Sequence, residues 1–352
     1  QALEETAVTA KTRKHLDRCL VCRSCETTCP SGVRYHNLLQ IGKEVVDERV
    51  QRPLNERFMR WGMRTLLPYP ARFAPLFRLG ALFRPLMPAA LKAKMPLLHE
   101  PGTRPSGKHV RKVILFEGCV QSVVVTSINA ATSRVLDRLG ISCITANGEG
   151  CCGAVSNHTG DIPAGEEMAR RNIDSWVPHL DAGAEAIVTT ASACGLEIRE
   201  YPELLKNDSA YAGKAQRIAD AVMDISEFLS QSVDSSDLTL SAPLPQISFH
   251  APCTLQHGLK QAGTVEGMLQ KLGFSVRTPA DPHLCCGSAG TYSILQPGMA
   301  LQLRDDKLEK LDAAGAEVIA TANIGCMMHL QSGTGTEVRH WIEIIDSSLD
   351  KA

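Results

Sequence analysis

Twelve of the thirteen cysteines in this chain fall into three groups whose spacing is typical of metal sites. The first group is Cys19-x2-Cys22-x2-Cys25-x3-Cys29-Pro30. The other two share one pattern with the same interval of 31 residues. They are Cys119-x31-Cys151-Cys152-Gly153 followed by Cys194, and Cys253-x31-Cys285-Cys286-Gly287 followed by Cys326. Clustered thiolates bind zinc and iron–sulfur clusters, so the sequence predicts metal or redox chemistry.

The first group has the spacing of a bacterial ferredoxin, in which three thiolates hold one 4Fe-4S cluster and the fourth ligates another. We therefore expect Cys19, Cys22 and Cys25 to bind one cluster and Cys29 to bind a second. The partner motif is absent from these 352 residues, and the chain begins at Gln1 rather than Met. We expect that motif to lie upstream. The alternative is a structural zinc knuckle.

Each duplicated group supplies four thiolates, which suffice for a cubane cluster or for zinc. Buried thiols without metal remain a third interpretation of each group. Adjacent cysteines seldom form a disulfide with each other, because that geometry is strained. Cys143, in an apolar strand, is interpreted as a buried core thiol. Four histidines lie near the last group and could be ligands, quinone hydrogen-bond donors, proton relays or structural residues: His250, His257, His283 and His329.

The elements that position these groups repeat along the second half of the chain. Strands are predicted at 112–118 and 246–252, helices at 127–139 and 263–272, strands at 141–146 and 274–278, helices at 164–176 and 298–312, and closing apolar helices around 225–229 and 341–345. Strands that alternate with helices indicate a parallel sheet. The predicted fold class is α/β, with a ferredoxin-like helical cluster segment followed by two pseudo-symmetric α/β lobes. The cysteines follow strand ends, where such sheets bind ligands.

The predicted domains are a cluster segment at 1–40, a helical connector at 41–107, lobe 1 at 108–240 and lobe 2 at 241–352, with a linker at 231–245 between the lobes. A helix at 33–50 should bury one apolar face formed by Leu38, Ile41, Val45 and Val46. Residues 57–98 are basic and aromatic and contain no acidic residue, and prolines should divide them into short helices. We interpret this segment as a docking surface for a partner subunit, with an anionic membrane surface as the alternative.

Composition narrows the function further. The hydrophobic content of 44%, the charged content of 21% and the net charge of −1 are ordinary for a globular protein and give no field for nucleic acid. No run of 18 apolar residues and no signal peptide is evident, so we expect a cytoplasmic protein whose cysteines bind metal rather than form disulfides. The chain lacks a G-x-G-x-x-G fingerprint, so it is not expected to bind FAD or NAD itself.

The duplicated groups resemble the cysteine-rich CCG domain of the heterodisulfide reductases. In that family five cysteines per copy hold a noncubane 4Fe-4S cluster. The penultimate cysteine is replaced here, by Ala191 in lobe 1 and by Asn323 in lobe 2. The resemblance therefore implies clusters in the lobes but not the five-thiolate site, and it disfavours a thiol/disulfide enzyme.

Over nearly its whole length the chain resembles the iron–sulfur subunit of bacterial glycolate dehydrogenase, also called glycolate oxidase. The residues that carry this resemblance lie at 15–39, 149–155, 252–260, 283–292 and 321–345. The resemblance implies that Cys19, Cys22, Cys25 and Cys29 bind 4Fe-4S clusters, two in the full-length protein. It also implies FAD-containing partner subunits that oxidise glycolate to glyoxylate, and an acceptor other than oxygen, such as quinone.

On that interpretation this subunit relays electrons and carries no catalytic residue for the hydroxy acid. Peripheral association with the inner face of the plasma membrane is compatible with it. The iron–sulfur subunits of D-lactate and glycerol-3-phosphate dehydrogenases share the architecture and stay as alternatives. A third hypothesis is a zinc-stabilised scaffold that only assembles subunits.

Overall fold

The computed structural model describes residues 8–87, 101–232 and 237–350. The first of these stretches is helical. Its elements are α1 (Ala10–Asp17), α2 (Ser24–Thr27), α3 (Tyr35–Arg49), α4 (Leu54–Leu66), α5 (Pro70–Leu82) and a 3-10 turn (Arg84–Leu86). α1 begins at a capping box, in which the side chains of Thr9 and Thr12 each accept a hydrogen bond from the other residue's backbone amide. The first cysteine run lies between α1 and α3.

The helix predicted at 33–50 is present as α3, but its buried face differs from the predicted one. The buried residues are Leu39, Gly42 and Val46. Leu38 and Ile41, predicted to be buried, are 45% and 46% exposed. Gly42 faces α1, where a Cβ atom would make an ordinary van der Waals contact of 3.6 Å with Leu16 Cδ1. The packing of α3 on α1 therefore accounts for the buried face, which a count of apolar residues does not reveal.

The basic and aromatic segment forms two helices of 13 residues, α4 and α5, rather than a series broken at every proline. Pro75 lies inside α5. Its ring removes the hydrogen bond to the carbonyl of Ala71, which is exposed and can be solvated instead. Pro88, Pro96, Lys92 and Lys94 of this segment lie outside the described residues.

Lobe 1 alternates strands with helices. Its elements are β1 (Arg111–Phe116), α6 (Gln121–Val124), α7 (Thr126–Arg138), β2 (Ile141–Ile144), α8 (Ala154–His158), α9 (Ile162–Asp181), β3 (Ile187–Thr189), α10 (Ser192–Arg199), α11 (Tyr201–Leu204), α12 (Ala212–Ala221), β4 (Val222–Asp224) and α13 (Ile225–Ser232). The strands pair in parallel in the order β2-β1-β3-β4.

Lobe 2 repeats this plan. Its elements are β5 (Ile247–His250), a π-helical turn (Thr254–Gly258), α14 (Thr264–Lys271), β6 (Val276–Arg277), α15 (Tyr292–Leu295), α16 (Pro297–Asp312), β7 (Val318–Thr321), α17 (Ile324–Gln331), β8 (Glu337–His340) and α18 (Trp341–Ser348). The order β6-β5-β7-β8 is also parallel throughout. The predicted fold class, two pseudo-symmetric α/β lobes with parallel sheets, is confirmed.

The two lobes pack against each other through their closing helices. The closing helix of lobe 1, α13, packs on α14 of lobe 2, and the closing helix of lobe 2, α18, packs on α7 of lobe 1. One hydrophobic core consequently runs through both lobes and includes Ile128, Phe228, Leu269 and Ile345. Arg134 on α7 forms a two-pronged ion pair with Asp346 on α18, at 2.8 and 2.6 Å. The lobes are therefore held in a fixed relation to each other.

Among the helices of the described stretches, none combines the length and the apolar character needed to cross a bilayer.

Candidate metal centres

The first cysteine run winds into a tight loop. Cys25 lies in the single turn of α2. The neighbours of Cys22, Val21 and Arg23, both have left-handed backbones with φ of 53° and 60°. Such residues cost about 1–3 kcal/mol each and concentrate at functional sites. The winding brings the thiols of Cys22, Cys25 and Cys19 close enough to interact electrostatically, as the ligands of one cluster must.

Hydrogen bonds and burial shift the pKa values of two thiols in this loop in opposite directions. Hydrogen bonds from the amides of Val33 and Ser31 lower the pKa of the Cys29 thiol. Burial raises the pKa of Cys22, and neighbouring thiols raise it further. Since metals bind thiolates, Cys29 is favoured as an anionic ligand before metal binds, whereas Cys22 must lose its proton on binding.

The four thiols of lobe 1 meet at the carboxyl edge of its sheet. Cys119 follows β1, Cys151 and Cys152 follow β2, and Cys194 lies on α10 just after β3. Cys119 Sγ is 3.4 Å from Cys151 Sγ, and the Cys152 thiol interacts with those of Cys151 and Cys194. The structure therefore brings the four predicted residues together, three of them buried.

The Cys-Cys-Gly loop of lobe 1 is fixed by polar side chains. Asn172 on α9 accepts a hydrogen bond from Gly150 N–H at 2.8 Å and donates to the Cys151 carbonyl at 2.9 Å. The Tyr201 hydroxyl donates to the Cys152 carbonyl at 2.9 Å. These bonds hold the thiols in place independently of any metal, which is the preorganisation that a binding site needs.

Lobe 2 reproduces this arrangement. Cys253 Sγ lies 4.0 Å from Cys285 Sγ, and the Cys286 thiol interacts with those of Cys285 and Cys326. The amide of Gly287 points at Cys285 Sγ at 3.4 Å, as the amide of Gly153 points at Cys151 Sγ at 3.5 Å. Amide hydrogen bonds to sulfur are a principal means by which proteins adjust cluster potentials.

One thiol in each lobe is favoured as the anion. The thiols of Cys119 and Cys152 donate to Cys151 and lower its pKa well below the usual value, while their own pKa values rise. Cys253 and Cys286 lower the pKa of Cys285 in the same way. The first cysteine of each adjacent pair is therefore the thiolate to which metal would bind first.

Only one of the four candidate histidines is buried among the thiols of lobe 2. His250 ends β5 and is 1% exposed. Its ring nitrogen and the Cys286 and Cys326 sulfurs lie within 4.8 Å of one another. His257 Nδ1 instead lies 2.9 Å from Thr27 Oγ1, and His329 Nε2 lies 3.1 Å from the Ala300 carbonyl oxygen. The fourth, His283, is exposed.

The first cysteine loop sits against the lobes. Besides the contact between Thr27 and His257, the Tyr292 hydroxyl of lobe 2 donates to the Arg18 carbonyl at 3.3 Å. Arg23 pairs with Glu200 of lobe 1. Cys22 thereby comes close enough to Cys285 and Cys253 for their charges to interact. The ferredoxin-type site and the lobe 2 site are neighbours.

The two lobe sites also approach each other. Ser192, two residues before Cys194, shares a hydrogen bond of 2.7 Å with Thr254, the residue after Cys253. The backbone amide of Ser192 donates to the Ala322 carbonyl of lobe 2 at 3.4 Å. The three cysteine groups therefore form a continuous series through the molecule, from the first loop to lobe 2 to lobe 1.

Three further positions bear on the predicted sites: Cys143, which stands outside the three groups, and Asn323 and Ala191, which replace the penultimate cysteine. Cys143 is half-buried in β2 beside the core, and burial raises its pKa to about 11. The predicted buried core thiol is therefore only partly buried and packs against the core. Asn323, at the place of the penultimate cysteine, uses its side-chain oxygen to accept from Gly325 N–H at 3.2 Å and so caps α17. Ala191 is buried at the corresponding start of α10. Neither residue is placed as a ligand.

Two buried ionisable residues near the thiols have no signal in the sequence. Glu197 on α10 accepts a hydrogen bond from Asn157, and burial raises its pKa to about 8. Lys307 on α16 is 1% exposed and donates to the carbonyls of Asp281 and Pro282, both at 3.2 Å. Each lies on a helix of mixed polarity, where the sequence does not distinguish a buried ionisable side chain from an exposed one.

The residues fit iron–sulfur clusters. Each of the three groups offers convergent thiols, and both lobes aim a backbone amide at a cysteine sulfur. The same donors would accept zinc, which also takes four thiolates. The fold and the sites together define a cysteine-rich metalloprotein with two α/β lobes.

Comparisons with known proteins support this assignment to a cysteine-rich class. The family model described as "Cysteine-rich domain", CCG, matches residues 113–199 and 247–331. The glycolate oxidase iron-sulfur subunit of Escherichia coli (strain K12) is 49% identical over 352 residues, which cover 100% of this chain and 86% of that protein. Lactate utilization protein A of Bacillus cereus (strain B4264) is 29% identical over 245 residues, covering 67% of this chain and 99% of that protein.

A crystal structure of a hypothetical protein from Helicobacter pylori shares the fold, with a TM-score of 0.51 at 11% identity over 75% of this chain and 54% of that one. The full-length identity of 49% shows the closer relationship: this chain belongs to the family of glycolate oxidase iron–sulfur subunits.

Proposed function

We propose that this chain is the electron-transfer subunit of a flavin-dependent glycolate dehydrogenase. It relays electrons from FAD-containing partner subunits to quinone or another acceptor other than oxygen. The observation that carries this proposal is the series of three cysteine groups, in which Cys22 adjoins Cys285 and Ser192 of lobe 1 contacts Thr254 of lobe 2. Neighbouring redox centres are what an electron relay requires.

The 4Fe-4S clusters supply one-electron redox chemistry when bound. Cys19, Cys22 and Cys25 would hold one cluster and Cys29 would ligate a second. The four thiols of each lobe would hold a further centre. The chain's own contribution is to supply thiolates, to direct the amides of Gly153 and Gly287 at sulfur, and to exclude water around buried thiols such as Cys286. Burial and hydrogen bonds to sulfur set the potential of each centre.

We infer that glycolate is the substrate of the complex, because the identity to the Escherichia coli glycolate oxidase subunit extends over the whole chain. The relationship to lactate utilization protein A covers two thirds of it at 29% identity and keeps lactate as a second candidate. Rates of dye reduction by the assembled complex with glycolate, D-lactate and glycerol 3-phosphate distinguish these substrates. A complex that oxidises D-lactate and not glycolate would contradict the assignment.

The metal content tests the electron-transfer role. We expect iron matched by acid-labile sulfide in protein purified without oxygen, at about four of each per cluster. Cys152→Ser and Cys286→Ser report separately on the two lobes, because each removes a buried thiol of one group only. Loss of iron in each variant supports a filled lobe. Zinc with little sulfide in the wild-type protein would overturn the relay and leave the scaffold hypothesis.

The docking of the flavin subunits is assigned to α4 and α5. Leu54, Phe58 and Trp61 lie at helical spacing on one face of α4 and are 79%, 70% and 58% exposed. Leu76, Leu79 and Phe83 form a similar exposed stripe on α5. Exposed apolar and aromatic side chains on this scale are typical of protein interfaces.

The opposite side of α4 is already occupied, since Arg60 is buried and donates to the Thr159 carbonyl of lobe 1 at 3.2 Å. The apolar stripe therefore faces away from the lobes. The pair Phe58→Ser and Trp61→Ser should reduce the flavin that copurifies with this chain. Ile294→Ser, at an exposed apolar residue of lobe 2, serves as the matched control. If the double variant keeps its flavin but no longer binds lipid vesicles, the stripe is a membrane-binding surface and not the docking site of the flavin subunits.

A further inference from the structure

The two lobes differ at one position that faces the thiols. In lobe 1, Phe116 is the last residue of β1 and pairs in register with Thr189 of β3. In lobe 2, His250 is the last residue of β5 and pairs in register with Thr321 of β7. Both threonines are retained, so at this register position the two lobes differ by the exchange of a phenyl ring for an imidazole. Phe116 packs edge-on against Trp176 and offers no donor atom.

His250 has an unused nitrogen in the protein interior. Its Nδ1 lies 2.9 Å from Thr321 Oγ1. Its Nε2 is buried and has no hydrogen-bond partner among the described residues. An unpaired buried polar atom costs about 1–3 kcal/mol, so its retention calls for a ligand. The nearest candidates are the Cys286 and Cys326 sulfurs, which form a group with this ring within 4.8 Å.

We propose that His250 Nε2 is a nitrogen ligand of the metal centre in lobe 2, beside the thiolates of Cys286 and Cys326. The ring and these two sulfurs already lie within 4.8 Å of one another, so a modest rearrangement would bring all three onto one centre. Thr321 has the role of the outer partner that fixes a ligating histidine: its hydroxyl accepts from Nδ1–H and leaves the lone pair on Nε2.

This ligand makes the two lobe centres chemically different. An imidazole is neutral, whereas a thiolate is anionic, so an imidazole-bound iron is easier to reduce, as in Rieske centres. A nearby cation acts in the same direction, because Lys307 interacts electrostatically with Cys286 and Cys285. We therefore expect the lobe 2 centre to have the higher reduction potential.

This inference rests on the proposal that lobe 2 holds a metal centre. The first test is pulsed electron paramagnetic resonance of the reduced wild-type protein, grown with ¹⁴N- or ¹⁵N-histidine. We expect a hyperfine coupling that changes with the histidine isotope. Iron analysis of Cys286→Ser runs beside it. If this variant keeps all its iron, lobe 2 holds no cluster, and both the proposed lobe 2 centre and the His250 ligand are overturned. If it loses iron while the wild type shows no histidine coupling, the electron relay stands and the His250 ligand is overturned.

Variants then locate the nitrogen. His250→Cys should retain iron, lose the histidine coupling and lower the potential of the lobe 2 centre. His283→Gln, at an exposed histidine of the loop that precedes Cys285, should keep the coupling and is the matched control. Phe116→His beside Thr189 should add a second histidine coupling from lobe 1. Persistence of the original coupling in His250→Cys would assign it to another histidine and overturn the proposal. The isotope measurement on wild-type protein decides even if a variant fails to fold.

Discussion

A buried carboxyl is the least expected residue beside the thiols of lobe 1. Glu197 is 7% exposed, and burial is the main cause of its raised pKa. The neighbouring charges of Glu200 and Cys151 raise it further, against the hydrogen bond from Asn157. At neutral pH this residue is therefore largely protonated. It adds no full negative charge to the thiolate site until the pH approaches 8.

This shift predicts a pH dependence of stability. The folded protein binds a proton at Glu197 between its ordinary pKa of 4.5 and about 8, whereas the unfolded chain does not. The free energy of unfolding therefore falls as the pH rises through this window, by up to about 1.4 kcal/mol per pH unit. Urea unfolding at pH 5 and at pH 7.5 measures the slope, and Glu197→Gln should flatten it.

Glu203→Gln is the matched control for that measurement, because Glu203 is exposed in its pair with Lys206. Its slope should equal that of the wild type. Glu149 and Asp224, whose pKa values burial raises to about 7 and about 6, contribute slopes of the same sign. The pKa of Glu197 is thus tested by the difference in slope between the wild type and Glu197→Gln. Equal slopes for these two proteins would contradict the assigned pKa.

A second prediction at this scale concerns the cysteine nearest lobe 2 in the first loop. Cys22→Ser should remove about four irons and abolish electron transfer to a dye, while the lobes stay folded. Cys143→Ser, which alters the one cysteine outside the three groups, should keep both the iron and the activity. Iron and sulfide analysis with dye-linked glycolate oxidation makes the comparison. Normal turnover in Cys22→Ser would show that the first loop lies outside the electron path.

At the scale of elements, the turn after each cysteine pair depends on glycine. Gly287 has φ of 83°, and a Cβ atom there would lie 2.4 Å from the Ala300 backbone oxygen on α16. Gly153 has φ of 102°, and its Cβ would meet the Gly165 oxygen on α9 at 3.4 Å. The loop of lobe 2 is therefore pressed more tightly against its helix than the loop of lobe 1.

Alanine at these two glycines should separate strain from steric overlap. Both variants incur about 1–3 kcal/mol for the left-handed backbone. Gly287→Ala must also displace backbone atoms of α16, so it should be the less stable variant and lose lobe 2 metal. Thermal unfolding and iron content of the two proteins test this order. A Gly153→Ala protein that is equally unstable would indicate that backbone conformation alone sets the cost.

The sequence predicts these elements unevenly. Strands that lead into cysteines and the long helices between them follow directly from apolar runs and from the repeat. The last strands of each sheet, β4 and β8, are three and four residues long and are hidden beside the apolar helices that follow them. The buried face of α3 depends on contact between Gly42 and α1. His250 is visible in the sequence only as one of four histidines, because its register opposite Thr321 is a property of the folded sheet.

At the scale of the whole molecule, the closing helices join the two repeats. The repeat predicts the helices that close each lobe, but it does not reveal that α13 and α18 pack across to the other lobe. Such contacts join residues that are far apart in the sequence, as in the ion pair between Arg134 and Asp346. The arrangement fixes the distance between the cysteine sites of the two lobes, whereas lobes free to rotate would vary it. The proposed relay would benefit, because electron transfer depends on that distance.

The shared core predicts that both lobes unfold together. Trp176 lies in lobe 1 and Trp341 in lobe 2, both fully buried, and fluorotryptophan labelling lets NMR follow each one without a mutation. With increasing urea, their native signals should disappear at the same midpoint, because separating the lobes exposes apolar residues of both. Arg134→Gln, which removes the inter-lobe ion pair, should lower the two midpoints equally. Two distinct midpoints in the wild type would mean that each lobe is stable alone, and that the closing helices add contact without cooperativity.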